Sequence, residues 1–248
     1  PTSLSTARYN LAATTVGGYA LFGGGEASSS SAVVDAYDAS LTRTTPTSLS
    51  TARYNLAATT GGTYALFGGG QYRDNFARDV VDAYNASLTR TTPTALSEAR
   101  YDLVATTVGT YALFGGGYDA GAVVDAYDTA LTRTTPTQLS VARSDLAATT
   151  VGTYALFGGG RTSAVVDAYD TALTRTTPTS LSAARAYIAA TTVGGYALFG
   201  GGNTSGSSSA VVDAYNASLT RTTPTPLSVA RQNLAATTVG NYALFGGG

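Results

Sequence analysis

Residues 33–70 read VVDAYDASLTRTTPTSLSTARYNLAATTGGTYALFGGG, and near-copies of this stretch fill the rest of the chain. An Ala-Arg pair places Arg8, Arg53, Arg100, Arg143, Arg185 and Arg231 at equivalent positions. Each Arg stands 15 residues before a Gly triplet, which begins at Gly23, Gly68, Gly115, Gly158, Gly200 and Gly246. The Val-Val-Asp-Ala-Tyr runs begin at Val33, Val80, Val123, Val165 and Val211, each 20 residues before the next Arg. The repeat length nevertheless wanders between 42 and 47 residues. All of that variation falls in Glu26–Ala32, Gln71–Asp79, Tyr118–Ala122, Arg161–Ala164 and Asn203–Ala210. Periods of this size mark solenoids and propellers.

Each unit reads as four short strands. Arg8–Val16 is rich in Thr and small apolar residues, and Gly17-Gly18 after it suits a two-residue hairpin turn. Tyr19–Phe22 follows, with Tyr19 and Leu21 on one face and Ala20 and Phe22 on the other. The Gly triplet ends that strand and admits a neighbouring backbone. Val33–Tyr37 is a β-branched and aromatic third strand. Asp38 opens a turn through its side chain. Thr42–Thr45 is the fourth strand, stopped by Pro46. No stretch carries a sustained helical period, so the predicted class is all-β with four-stranded antiparallel blades.

These residues resemble the kelch repeat. Ala7-Arg8 matches its first strand, Tyr19-Ala-Leu-Phe-Gly-Gly-Gly25 its second and Val34-Asp-Ala-Tyr-Asp38 its third, over essentially the whole chain. The resemblance implies a kelch-like β-propeller and leaves function open, since that fold serves enzymes and binding modules alike. Kelch units usually carry a Trp on the fourth strand. Here the region reads Leu41-Thr-Arg43, so Leu41 is expected to pack the blade edge instead. The reading gives one propeller domain over 1–248, with units 1–45, 46–92, 93–135, 136–177, 178–223 and a partial 224–248. Six first-and-second-strand halves face only five third-strand halves, which predicts six blades with the last incomplete and one open edge. The absence of an initiator Met reads the same way, as a piece of something longer.

Composition narrows the chemistry. The 14 basic residues, all Arg, against 15 acidic ones leave a net charge of −1, which argues against nucleic acid as a partner. There is no Cys, His, Met, Trp or Lys, so disulfides, imidazole or thiolate metal sites and Ser-His-Asp triads are excluded. No apolar run reaches the ~18 residues of a membrane span. Neither a metal nor a cofactor is expected. Asp35, Asp82, Asp125, Asp167 and Asp213 sit in strands, and Asp38, Asp128 and Asp170 open turns that Asn85 and Asn216 open elsewhere. That is turn chemistry rather than a convergent oxygen cage, with weak, exposed pairing to Arg43-type residues. Arg73-Asp74-Asn75 with Arg78-Asp79 reads as a solvated mixed-charge cluster.

The variable segments, the first-strand starts and the inter-blade connectors emerge together on one end of an up-and-down blade. That end is therefore the expected ligand face, against the simpler reading that surface loops drift. The six Arg residues would ring it, holding a carboxylate or phosphate bidentately, or else would tie blades together through loop carbonyls. Tyr72, Phe76 and Tyr118 in the loops are candidate stacking residues for a sugar or a partner side chain. Tyr9, Tyr54, Tyr101 and Tyr187 divide between stacking and blade packing. Glu98, one of only two Glu residues, is the candidate acid if an acidic sugar is the substrate. The leading function is a non-enzymatic module binding a protein or glycan, within a larger surface or virion-associated protein. The alternatives are an assembly element self-associating through its incomplete blade, and that acidic-sugar enzyme. Three sequons at Asn85, Asn203 and Asn216 lean weakly towards an extracellular setting.

Overall fold

The computed structural model describes residues 1–248 and contains no helix. The chain divides into two compact units, Pro1–Thr135 and Pro136–Gly248, parting between the third and fourth repeats.

The first unit holds three four-stranded antiparallel sheets, each with its strands in sequence order. They comprise β1 (Ala12–Val16), β2 (Tyr19–Gly23), β3 (Val34–Tyr37) and β4 (Arg43–Thr44); β5 (Ala57–Gly61), β6 (Tyr64–Gly68), β7 (Val81–Tyr84) and β8 (Arg90–Thr91); and β9 (Val104–Val108), β10 (Tyr111–Gly115), β11 (Val124–Tyr127) and β12 (Arg133–Thr134). In the second unit, β13 (Ala147–Val151), β14 (Tyr154–Gly158), β15 (Val166–Tyr169) and β16 (Arg175–Thr176) form one blade. Next come β17 (Ala189–Val193), β18 (Tyr196–Gly200), a loop hairpin of β19 (Asn203–Thr204) and β20 (Ser207–Ser208), then β21 (Val212–Asn216) and β22 (Arg221–Thr222). The last pair, β23 (Leu234–Val239) and β24 (Tyr242–Gly247), forms a two-stranded sheet alone. The expected count of five full blades and one half-blade is what these sheets provide.

The first strand starts later than its Thr-rich pattern suggests, at Ala12 rather than Arg8. Asn10 takes a left-handed conformation (φ 53°), which interrupts the extended backbone and turns Arg8 inward. The β1–β2 hairpin closes with Val16 opposite Tyr19, and Gly17 supplies the positive φ that a two-residue turn needs.

Blades pack through two unlike faces. One carries Ala, Phe and Tyr; the other carries Leu, Val and small residues. In the first unit, Ala65, Phe67 and Tyr84 bury against Leu21, Val34 and Ala36 of the preceding blade. Ala112, Phe114 and Tyr127 bury in the same way against Leu66, Val81 and Ala83. In the second unit, Ala197, Phe199 and Tyr215 meet Leu156, Val166 and Ala168. Each face inserts a T-shaped aromatic pair, such as Phe114–Tyr127 at 6.0 Å and 88°, worth ~0.5–1.5 kcal/mol beyond its buried area. Connector leucines Leu49, Leu96 and Leu181 join these cores.

Asp38 organises the third-to-fourth-strand turn, its Oδ1 accepting from the backbone N–H of Ser40 and of Thr42 at 2.9 Å each. Those bonds hold its carboxyl below the usual carboxylate range, the Ser40 hydroxyl contributing most. The turn closes by placing Leu41 at φ 61°, with Leu88, Leu131, Leu173 and Leu219 in the same left-handed state. Leu88 and Leu131 pack against the blade cores, whereas Leu41 is 54% exposed. Edge packing by these leucines thus holds for Leu88, Leu131 and Leu219 and fails for Leu41.

Candidate functional site

Within each unit the variable segments do gather at one end, and the backbone shows how. Tyr9 bridges Glu26, Tyr54 bridges Gln71 and Tyr101 bridges Tyr118, so each first-strand start lies beside the head of its own loop. The far end of the loop is held by the next blade. Ala32 accepts from the N–H of Leu49 at 2.8 Å, and Ser31 from that of Arg53 at 3.0 Å. The Arg53 carbonyl in turn accepts from Gly25 at 2.9 Å. One arginine backbone therefore clips both ends of the preceding loop. A second set of bonds steps from blade to blade: Asn55 donates to Asn10 and Asp102 to Asn55, both at 3.0 Å. In the second unit Tyr187 donates to Asp145 and Asn233 to Tyr187, at 3.0 and 3.2 Å. All six residues are left-handed, φ 50–57°. For Tyr187, a bulky aromatic among Asn and Asp residues, that conformation is an outlier.

The side chains of the repeated arginines turn away from that end. Arg53, Arg100 and Arg185 have no exposed surface, and Arg143 has 4%. Arg8, Arg53, Arg100, Arg143 and Arg185 pair with Asp35, Asp82, Asp125, Asp167 and Asp213 of their own blades. Each such carboxylate also accepts from a connector N–H, as Asp125 does from Ser97 at 3.1 Å, and each lies near a fourth-strand Arg. Burial pulls the guanidinium pKa of Arg53, Arg100, Arg143 and Arg185 down, and the partner carboxylate opposes it. An open ring of ligand-binding guanidinium groups is thus not what the fold builds from these five. Arg231 differs: its sheet has no third strand, and its guanidinium donates to the Gly247 carbonyl at 2.8 Å. The strand Asp residues likewise depart from expectation, being the buried centres of charge networks rather than weak surface partners. The Arg-to-Asp interval crosses the variable loop, so no fixed spacing advertises the pair.

The loop aromatics of the first unit stand where a partner can reach them. Phe76 is 69% exposed and Tyr72 40%. The Arg-Asp cluster between them is a brace as well as a solvated surface. Asp74 pairs with Arg78 at 2.6 Å, Arg78 lies 5.9 Å from the Tyr72 ring centroid, and Asp74 Oδ1 accepts from the Phe76 N–H at 3.0 Å. That backbone bond, then Arg78, holds the Asp74 carboxyl below its ordinary range. Thr51, Ala52, Tyr72, Asp74 and Arg78 line a depression of about 320 Å³. Tyr118 stacks on Tyr101 at 5.0 Å and 15°, so each ring offers one remaining face. Tyr9 is 57% exposed, and its hydroxyl is pushed up chiefly by its bond to Glu26. Glu98 is exposed.

In the second unit the short loop brings Arg161, Thr162, Ala184, Ala186, Tyr187 and Asn203 around a depression of about 360 Å³. Arg161 pairs with Asp145 at 3.0 Å while its side chain stays 58% exposed. Neither Arg161 nor its site follows from the repeat, because this loop differs in length and residues from the equivalent segments of the other repeats. No group of three His, Cys, Asp or Glu is placed to hold a metal ion, and no helix is long and apolar enough to cross a membrane.

No protein-family model matches the chain, and no curated protein matches it. Solved structures do match. The chain is similar to the propeller described as "Structure of YjhT", with a TM-score of 0.74 and 11% identity over 97% of this chain and 90% of that one. Identity at that level carries fold and nothing further. The blades, their order and this likeness together make the fold a β-propeller.

Proposed function

We propose that the chain is a non-enzymatic, kelch-type binding module that engages a protein partner through its variable-loop end, as part of a larger surface or virion-associated protein. The exposed Phe76 carries this reading: a rigidly braced aromatic at a loop apex is the type of anchor that fills a pocket in a partner. Tyr72 and Arg73 of the same loop, with Tyr9 and Tyr118 on the adjoining blades, supply the Tyr- and Arg-rich chemistry of protein interfaces. The acidic-sugar reading loses ground because five of the six guanidinium groups it needs are held by carboxylates.

Phe76→Ala and Tyr72→Ala should each weaken partner capture at least tenfold in a quantitative pull-down while leaving the melting temperature unchanged. Retention of a glycan on an array, lost in the same variants, would move the assignment to carbohydrate. Binding unchanged in both variants would remove the site.

A further inference from the structure

Fifteen residues other than Gly hold a left-handed backbone. Five are the turn leucines and seven are Asn or Asp, whose short polar side chains tolerate it best. The remaining three are Thr162 (φ 53°), Tyr187 (φ 54°) and Ser205 (φ 49°). All three line the same depression of about 360 Å³ in the second unit. They reach it from three segments: the loop after β14, the approach to β17 and the β19–β20 turn. Costly backbone conformations collect at ligand sites, where the surroundings hold them in place. Among near-copies the cost is plain, since Asn10, Asn55 and Asn233 stand at the position that Tyr187 takes here.

Two further departures from the repeat shape the depression. Tyr9, Tyr54 and Tyr101 follow the Arg in the first three units, whereas Ala186 follows it here and the tyrosine moves one residue on. The small side chain leaves room where a ring would stand, and Tyr187 becomes a wall of that room. The loop Arg161–Ala164 is the shortest of the five and brings Arg161 to the same place. Arg161 Nε donates to Asp145 Oδ2 at 3.0 Å, and its Nη2 lies 3.5 Å from the Tyr187 hydroxyl. The Asp145 side chain is 8% exposed and that of Arg161 58%, so a sheltered carboxylate aims an accessible guanidinium.

We propose that this depression binds a single neutral saccharide unit. The hydroxyls of Thr162, Tyr187 and Ser205 accept as well as donate, which suits a ring that carries hydroxyl groups. The Tyr187 ring, with Ala184 and Ala186, supplies apolar surface for the C–H face of a sugar. Small-ligand sites combine such an apolar floor with a few placed polar groups. An anion is the poorer fit, because Asp145 already offsets the one cation in the lining. The site shares no residue with the Phe76 surface, so the two stand or fall independently.

Saturation-transfer NMR tests this with the methyl glycosides of glucose, galactose, mannose and N-acetylglucosamine, and with glucuronate as the acidic control. Each is used at about 10 mM, which fills a site of ~1 mM Kd. At least one neutral glycoside should receive transfer at its ring protons, and more of it than glucuronate does. Tyr187→Asn restores the residue of other units, so it should weaken that binding at least tenfold without lowering the melting temperature. Arg161→Gln, at an exposed position, should weaken it likewise, and Phe76→Ala should leave it unchanged. An array presenting the same sugar at glycan ends then separates two sources: a glycan terminus binds on the array, a free sugar only in solution. No transfer to any of the four glycosides overturns the proposal. So does binding that survives both Tyr187→Asn and Arg161→Gln, or a response to glucuronate alone.

Discussion

The Arg100 guanidinium and the Asp125 carboxylate meet at 2.8 Å with no part of either side chain exposed, although 25 residues and a loop separate them in the chain. Asp125 simultaneously fixes the Ser97 N–H of the connector. The approach to β9, strand β11 and the connector thus converge on one carboxylate. Asp125→Ala should cost about 3–5 kcal/mol, because it strands a buried positive charge. Replacing both partners, Arg100→Met with Asp125→Leu, should recover most of that loss. Urea midpoints decide, and a loss below about 1 kcal/mol for Asp125→Ala would contradict this role.

The blade interface makes a paired prediction at two glycines. Gly68→Ala drives a methyl into the Phe114 ring, and overpacking of this kind costs ~1–3 kcal/mol. Gly246→Ala meets open space and should be neutral or stabilising by up to about 1 kcal/mol, through the loss of unfolded-state freedom. Thermal melts of the two variants separate the two outcomes.

Alkaline pH should unfold the protein from a specific cause. Burial raises the phenol pKa of Tyr84, Tyr127, Tyr169 and Tyr215 well above 10. Each also donates to a connector carbonyl, as Tyr84 does to Thr47 at 2.7 Å. The neutral form is the folded one, so their contribution is complete below pH ~10 and falls as pH rises above it. Each phenol removes up to about 1.4 kcal/mol per pH unit above that point. Stability measured by urea should therefore drop steeply above pH ~10, and Tyr127→Phe should reduce the slope.

The left-handed leucines should respond to glycine with opposite signs. Leu41 is largely exposed at φ 61°, a conformation costing ~1–2 kcal/mol for a side chain with a Cβ. Leu41→Gly relieves that strain against ~0.5–1 kcal/mol of added unfolded-state entropy, so it should be neutral to stabilising. Leu88→Gly also loses packing against the blade core and should destabilise. Chemical denaturation of the two variants checks the contrast.

Strand order and blade number were legible because the repeat fixes every apolar position relative to Arg and the Gly triplet. The tyrosine and phenylalanine loop residues were legible as outliers against that background. What was not legible depends on contacts that cross the variable loops. The partnership of Arg53 with Asp82 has a different spacing from that of Arg143 with Asp167, so no motif records it. The threonine stitches join residues 46 apart, as Thr14 and Thr60 are, and from sequence they read only as strand propensity. Asn10 and its counterparts fall inside what reads as the first strand, and their shared left-handed backbone is what shortens it.

The clip formed by the Arg53 backbone on Gly25 and Ser31 has an evolutionary consequence. The segments between such clips range from four to nine residues, and their length changes nothing in the blade that carries them. Recombination between near-identical units would therefore trade whole loops among blades while leaving the buried strand and Arg–Asp contacts in place. Folding and recognition are inherited on separate stretches of one repeat, so the molecule can acquire a new surface without passing through an unstable ancestor.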